Sequence, residues 1–173
     1  WRHRPPLIID ESDSRLDSLP RALALGYAGT SHKNCKGIVK GLANAALLAK
    51  RRRELPNQRW ILSGEDLANV GPVALLQDLC VMASFGISHV ERNGHHYFKG
   101  LDAYPEDIQR SVVSDHGDLY EWRKDGFASV KINEGMLSTG SVTETGFGVG
   151  PLLDTGAFTP LADWDAASLD AGC

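Results

Sequence analysis

The chain has 173 residues and a formal net charge of −4, with 42% hydrophobic and 23% charged residues. This is the composition of an ordinary globular domain, and its acidic balance argues against a nucleic-acid partner. A chain of this length buries about two-thirds of its unfolded surface, so its core needs no disulfides. The three cysteines (Cys35, Cys80 and Cys173) are an odd number and lack metal-knuckle spacing, which indicates a reducing, cytoplasmic setting.

The sequence contains no apolar run near the ~20 residues that a membrane span requires, so we expect no membrane partner. Its first residues, "WRHRPPLIIDES", lack the order of a signal peptide. There is no initiating methionine, and an apolar strand begins only six residues in. We therefore expect a processed chain or part of a longer protein.

Strand-like and helix-like stretches alternate over the first half of the chain. "LIID" predicts a strand over Leu7 to Asp10, and "SLPRALALG" predicts a helix with proline in its first turn and glycine at its end. "YAGTSH" and "RWILS" predict two further strands. The helices after them are predicted in "GIVKGLANAALLAKRRR" and "NVGPVALLQDLCVMASFG".

The spacing of apolar residues predicts which helical faces are buried. In the first of these two helices the predicted face is Ile38, Leu42, Ala45 or Ala46, and Ala49. In the second it is Val70, Val73, Leu76 and Cys80. The cations from Lys50 to Arg53 are predicted to lie at a helix C-terminus, where they compensate the helix dipole.

Three strand-then-helix units predict parallel strands with crossover helices, hence a doubly wound sheet or part of a barrel. The stretch after Gly86 allows one more strand and one helix. From Asp125 the chain is rich in glycine, threonine and aromatic residues. This composition predicts a tail of strands, turns and loops packed over the helical layer or against a partner.

Candidate functional residues follow the predicted strands, because ligands of α/β sheets and barrels bind at the carboxyl ends of the strands. Carboxylates there suit Mg²⁺, and a lysine near such a cation can act as a base. His95 and His96 are adjacent, so on a strand only one of them could enter the site. The candidates, in chain order, are Asp10, Glu11, His32, Lys33, Lys36, Glu65 and His95.

Each of these candidates also has a plain structural interpretation. Asp10 with Glu11, and Glu65 with Asp66, are acids that could cap the helices that follow them. Lys33, Lys36 and Lys40 fall at helical spacing, and such a stripe of charge is typical of a solvated helix face.

Three motifs together resemble a known family. "LIIDES", "GTSHKNCKGIVKGLANAALLA" and "WILSGEDLANVGPVALLQDLCVMASFGI" are similar to the carboxyl-terminal half of the enolase superfamily, in its mandelate racemase and muconate lactonizing branch. The closing "GFGVGPLLD" resembles the segment that returns to the family's capping domain. The resemblance runs from Leu7 to about Asp154.

The resemblance implies a fold and a division of the chain. It implies a partial (β/α) TIM-type barrel, of which the chain supplies the last four βα units, followed by an irregular β-rich tail. The barrel part would be residues 1–124 and the tail residues 125–173. An eight-unit barrel takes roughly 250 residues, so the other half, with two metal carboxylates and the capping domain, would lie upstream or on a complementary chain.

The resemblance also implies an activity and a set of roles. Asp10 would bind the metal with Glu11 as its neighbour, Lys33 would be the general base with Lys36 as its competitor, and Glu65 would be an acid on the substrate side. His32 and His95 are our candidates for substrate contacts. The family's reaction would be Mg²⁺-assisted removal of the α-proton of a carboxylate substrate, giving racemisation, epimerisation or dehydration. We expect a homo-oligomer.

One departure from the family and two other function classes remain open. The order "KNCKG" differs from the family's usual small residue after the lysine, which is why Lys36 competes with Lys33. A flavodoxin-like or receiver-like binding module also begins with strand-then-helix units, although it places its acid and lysine in a different order. A non-catalytic fragment that keeps the fold is the remaining alternative. "DESDSRL" has no G-x-G-x-x-G, which argues against a Rossmann unit.

Overall fold

The structure is a computed structural model that describes residues 5–65, 68–149, 156 and 158–167. Its first half alternates strands and helices. They are β1 (Ile8–Ile9), α1 (Ser18–Ala24), β2 (Gly29–His32), α2 (Ile38–Glu54), β3 (Ile61–Glu65), α3 (Ala74–Ser84) and β4 (Val90–Glu91). Helix α4 (Glu106–Asp115), strands β5 (Tyr120–Trp122) and β6 (Ala128–Val130), and helix α5 (Gly140–Glu144) follow. Short 3₁₀ turns lie at Asn34–Lys36, Gly94–His96 and Gly146–Gly148.

The first four strands form one parallel sheet in the order β1-β2-β3-β4. This confirms the prediction of parallel strands with crossover helices. The first three helices pack on the same face of that sheet. Leu62 of β3 packs with Leu19 of α1 and Leu48 of α2. A side chain added at Gly64, which shares the face of Leu62, would touch Met82 of α3.

The opposite face of the sheet carries mostly polar side chains. Because parallel partners in register share a face, Ser31 and Ser63 lie side by side there. Asp10, Lys33 and Glu65 continue the same face at the carboxyl ends of the strands. Ile8 and Ile61 lie at the other end of this face, and both are half-buried. The chemistry-bearing residues of the sheet therefore share the face opposite to helices α1, α2 and α3.

Helix α2 presents a different face to the core from the one predicted. Its buried residues are Lys40, Gly41, Asn44 and Leu48, whereas Leu42 is 56% exposed. The predicted apolar face is therefore wrong for Leu42 and Ala49, which are exposed, whereas Ala45 does pack against the core. The reason is that Lys40 and Asn44 bind polar partners below the carboxyl edge of the sheet. These bonds turn the apolar stripe of the helix away from the core. The basic residues Arg51, Arg52 and Arg53 do occupy the last turn, as predicted.

Helix α3 begins at Ala74, so Val70 and Val73 lie outside it, contrary to the predicted face. Asp10, Glu11 and Glu65 do not cap a helix, and Asp66 lies outside the described residues. Helix α1 begins at Ser18, well after Asp10, and Val73 occupies the N-cap of α3 rather than Glu65. These carboxylates are thus available for other contacts.

The second half of the chain is built around α3. Its core joins Leu75, Leu76 and Leu79 of α3 with side chains from later elements, namely Ile108, Val112, Leu119, Tyr120, Ala128 and Val142. Strands β5 and β6 form an antiparallel pair, so the predicted strand content of the tail is confirmed for β6. Helix α5, which also packs on α3, was not predicted. Residues 150–155, 157 and 168–173 of the tail, Cys173 among them, lie outside the described residues.

The described helices include none that is both long enough and apolar enough to cross a membrane.

Candidate active site

Acidic and basic side chains converge at the carboxyl edge of the parallel sheet. Asp10 and Glu11 follow β1, Lys33 follows β2, and Glu65 is the last residue of β3. His32 and Gly64 are partners in register, which sets Lys33 level with Glu65 on the neighbouring strand. The strand ends that the sequence singled out are therefore brought together in space.

Lys33 lies at the centre of this cluster. Its Nζ atom is 2.6 Å from Oε1 of Glu11, 2.9 Å from Oε2 of Glu65 and 3.3 Å from Oδ1 of Asp10. Its side chain is only 4% exposed. Burial by itself would lower the pKa of Lys33, but the hydrogen bonds to Glu11, Glu65 and Asp10 outweigh it and raise the pKa above its usual value. Lys33 is therefore held as an ammonium ion.

Lys36 makes a second ion pair with Asp10. Its Nζ atom lies 2.6 Å from Oδ1 and 2.9 Å from the backbone oxygen of Asp10. It also donates to Oγ of Ser31 at 3.1 Å, and the Ser31 hydroxyl donates to Oδ1 of Asp10. Burial alone would raise the pKa of Asp10, but the bonds from Lys36 and Ser31 lower it to about 2. Asp10 is therefore a carboxylate at neutral pH.

The two competing lysines have different partners. Lys33 bridges three strands through three carboxylates, whereas Lys36 binds Asp10 and the end of β2. Three carboxylates and two ammonium groups leave the cluster with one net negative charge. Both lysines therefore belong to one site, and each neutralises part of the charge on Asp10.

A second buried cluster lies beneath the first, and the sequence analysis missed it. Lys40 donates to the backbone oxygen of Asp13 at 2.7 Å, and its Nζ atom lies 2.9 Å from Oδ2 of the same residue. Thr30 and Asn44 each donate to Oδ2 of Asp13 at 2.9 Å. Asp13 is 1% exposed and Lys40 is 9% exposed.

The interpretation of Lys33, Lys36 and Lys40 as a solvated stripe is therefore wrong. All three point toward acids in the loop that follows β1. The available signal was the spacing of Lys36, Lys40 and Asn44, which lie four residues apart and therefore on one helical face. The four residues at positions 10–13 are acidic or carry a hydroxyl group, and they were the candidate partners for those side chains.

His32 lies on the other side of the sheet from Lys33. Consecutive strand residues point to opposite faces, and the His32 ring packs edge-on against Phe85 at a centroid distance of 5.1 Å. Its Nε2 atom lies 3.0 Å from Oδ1 of Asn34. Burial lowers the pKa of His32, more than the bond to Asn34 raises it. A substrate contact by His32 stays a prediction; in this structure the ring is part of the helix-side core.

His95 lies in the 3₁₀ turn Gly94–His96 rather than on a strand. The expectation that His95 and His96 point to opposite faces is therefore wrong, and their ring centroids lie 4.0 Å apart. His95 lines a cavity of about 110 Å³ together with Arg92, Tyr120 and other residues. A substrate contact by His95 stays a prediction.

The acids of the cluster are of the kind that hold a hard cation. Asp10 and Glu11 have side chains that are 42% and 83% exposed, so both are reachable from solvent. Carboxylate oxygen is the ligand that Mg²⁺ prefers, and the ion is commonly held by one or two carboxylates with water or substrate. Across the described residues, no group of three or more His, Cys, Asp or Glu side chains is arranged to hold a metal ion.

Comparison of the chain with protein-family models, with curated proteins and with solved structures gave no match. The geometry of this cluster and the motifs in the sequence are therefore the indications of function.

Proposed function

We propose that this chain is the part of a metal-dependent enzyme of enolase-superfamily type that carries the last four βα units of a (β/α) barrel. The proposed reaction removes the α-proton of a carboxylate substrate and leads to racemisation, epimerisation or dehydration. The single observation that supports this most is the convergence of Asp10, Glu11 and Glu65 on Lys33 at the ends of three adjacent parallel strands.

The topology of the sheet supports the barrel part of the proposal. Its strands follow one another in sequence order, and the helices α1, α2 and α3 lie on one face. A doubly wound sheet instead reverses its strand order and carries helices on both faces, as in the flavodoxin order 2-1-3-4-5. The sequential order thus favours the barrel over the flavodoxin-like or receiver-like alternative.

The chemistry begins with the protonation state of Lys33. As an ammonium, Lys33 can donate a proton to the α-carbon of an enolate. As an amine, it can remove the α-proton. Its carboxylate neighbours favour the ammonium form, so the base form requires that Glu11 or Asp10 turn to another positive partner. Glu65 is 17% exposed and stays next to Lys33, where it can take part in proton transfer or orient the amine.

Mg²⁺ is the positive partner that fits these acids in charge and ligand type. Asp10 and Glu11 would hold the ion, since both are ionisable, adjacent and reachable from solvent. When bound, the ion would neutralise the negative charge that builds up on the substrate carboxylate. Lys36 would remain beside Asp10 and keep that carboxylate oriented through its bonds to Oδ1 and the backbone oxygen.

The proposal also requires a partner that completes the barrel. Among the described residues, β1 and β4 each pair with one strand only. In the part of the chain that the structure describes, α1, α2 and α3 lie on the face opposite to Ser31, Ser63 and the charged cluster. A parallel sheet is normally covered on both faces. The upstream half of the enzyme, a complementary chain or a second copy in a homo-oligomer would supply that cover.

The test is exchange of the substrate α-proton with solvent deuterium. The complete enzyme, in which this chain is joined by the part that completes the barrel, is incubated with Mg²⁺ in D₂O with a panel of acid sugars and amino-acid derivatives. Loss of the α-proton signal is followed by NMR. Exchange should occur with the wild type and stop with Lys33→Ala. Lys50→Ala removes a lysine that is 64% exposed and is the matched control.

Two results would contradict the proposal. Exchange by Lys33→Ala at the wild-type rate would move the base role to Lys36 or away from this strand. Absence of exchange and of Mg²⁺ binding in the complete enzyme would favour the non-catalytic alternative.

A further inference from the structure

The pair of Asp13 and Lys40 lies behind the proposed site. The bonds of this pair described above do not include Glu65 or Lys33. Its two charges are almost fully buried, which costs free energy that a pair of apolar residues would not. In addition, Oδ1 of Asp13 has no hydrogen-bond donor among the residues that the structure describes. A contribution to the stability of the fold therefore does not explain why this pair is buried.

A backbone bond ties this pair to the site. The amide of Asp13 donates to the backbone oxygen of Asp10 at 2.8 Å, which closes a turn over residues 10–13. Asp10 and Glu11 both lie within that turn. Lys36, in the 3₁₀ turn that precedes α2, holds the turn at Asp10. Lys40 and Asn44 of α2 hold it at Asp13.

We infer that Asp13 and Lys40 are positioning residues, which anchor the turn of residues 10–13 onto α2 and β2 so that Asp10 and Glu11 reach Lys33. The pair acts through the backbone of the turn and touches no reacting group. The inference deepens the proposed function, on which its catalytic meaning rests, but its structural content can be tested without metal or substrate.

Two variants test the inference. Asp13→Asn/Lys40→Met removes both charges together, so that no buried charge is left unpaired. Thr30→Val keeps the shape of a buried strand residue and removes one bond to Asp13. Two quantities are measured in the folded chain. One is the hydrogen-exchange rate of the amide of residue 13 by NMR, divided by the intrinsic rate of the Asp or Asn present there. The other is the rate of acylation of Lys33 by a neutral amine-reactive reagent, by peptide mass spectrometry.

Both rates should increase by about tenfold in the double variant, the factor that corresponds to ~1.4 kcal/mol of lost local stability. Leu48→Ala is the matched control, because it opens the core beneath α2 without touching the turn. Leu48→Ala should leave the ratio of Lys33 acylation to Lys50 acylation unchanged. If Lys40 had a merely structural role, the double variant would leave that ratio unchanged as well.

Unchanged corrected exchange at residue 13, or unchanged acylation of Lys33, in a folded double variant overturns the inference. If the double variant does not fold, Thr30→Val decides: an increase in both rates supports the inference, and wild-type rates overturn it. Failure of the deuterium-exchange test with substrate would leave these rates unaffected, so the two proposals fail separately.

Discussion

The Nζ atom of Lys33 lies 2.9 Å from Oε2 of Glu65, and this ion pair joins the ends of two adjacent parallel strands. Strand pairing alone brings the two residues level, since His32 and Gly64, the residues before them, are partners in register. The loop after β1 then adds Asp10 and Glu11 from the other side of Lys33. Lys33 thus occupies the place that a cation would take among three carboxylates.

Replacing Lys33 with methionine should therefore make the site bind Mg²⁺ more tightly, even though proton exchange is lost. The ammonium competes with the ion for the same carboxylates, and a unit charge near 4 Å contributes up to ~4 kcal/mol at a protein surface. We expect an affinity gain of at least about tenfold, or ~1.4 kcal/mol, by isothermal titration calorimetry. Lys50→Met is the control, and weaker binding by Lys33→Met would show that the lysine does not compete with the ion.

Replacing Lys36 with methionine should raise the pKa of Asp10 from about 2. Burial favours the neutral acid, and the bond from Lys36 is the largest of the influences that oppose it. With that bond removed, Ser31 and Lys33 remain, and the pKa should move toward the ordinary value of 3.8. A carbon-13 NMR titration of the Asp10 carboxyl measures it directly. A pKa that stays at about 2 would assign the stabilisation of the carboxylate to Lys33 and Ser31 alone.

The chain should lose stability as the pH falls below about 6.5. Burial lowers the pKa of both His32 and His116 in the folded state. At pH values between these lowered pKa values and the ordinary histidine pKa, the unfolded chain therefore binds more protons than the folded chain. Stability then rises with pH across that window and is lost on acidification. Urea denaturation at several pH values between 5 and 8 measures the slope. His95→Gln changes an exposed histidine and is the control, whereas His116→Gln should flatten the slope.

Replacing Gly41 with alanine should destabilise the protein, although alanine is normally the better helix former by ~1 kcal/mol. A Cβ atom at this position would meet the ring of His32 and lie 2.9 Å from Cε2 of Phe85. Overpacking of this kind costs about 1–3 kcal/mol, and the urea midpoint measures it. Ala46→Gly, at an exposed position of the same helix, gives the ordinary cost of glycine. A more stable Gly41→Ala would mean that His32 moves away freely.

Much of the fold follows from local patterns in the sequence. The alternation of apolar strands with helices predicted the parallel sheet, and the basic run after Ala49 predicted the last turn of α2. The strand ends predicted where Asp10, Lys33 and Glu65 lie, because parallel strands deliver their carboxyl ends to one edge. These features depend on short stretches of chain, whose periodicity and end signals are readable one element at a time.

The rotation of α2 and the depth of its lysines depended on the tertiary structure. Spacing placed Lys33, Lys36 and Lys40 on one face but could not say whether that face met water or acids. The answer depends on Asp10 and Asp13, which lie more than twenty residues earlier in the chain, and on Thr30 between them. The sequence by itself thus determined the strands of the parallel sheet, its crossover helices and the edge at which the site forms. Only the tertiary structure decided which charges pair, because pairing is a contact between residues distant in the chain and its energy depends on how deeply both are buried.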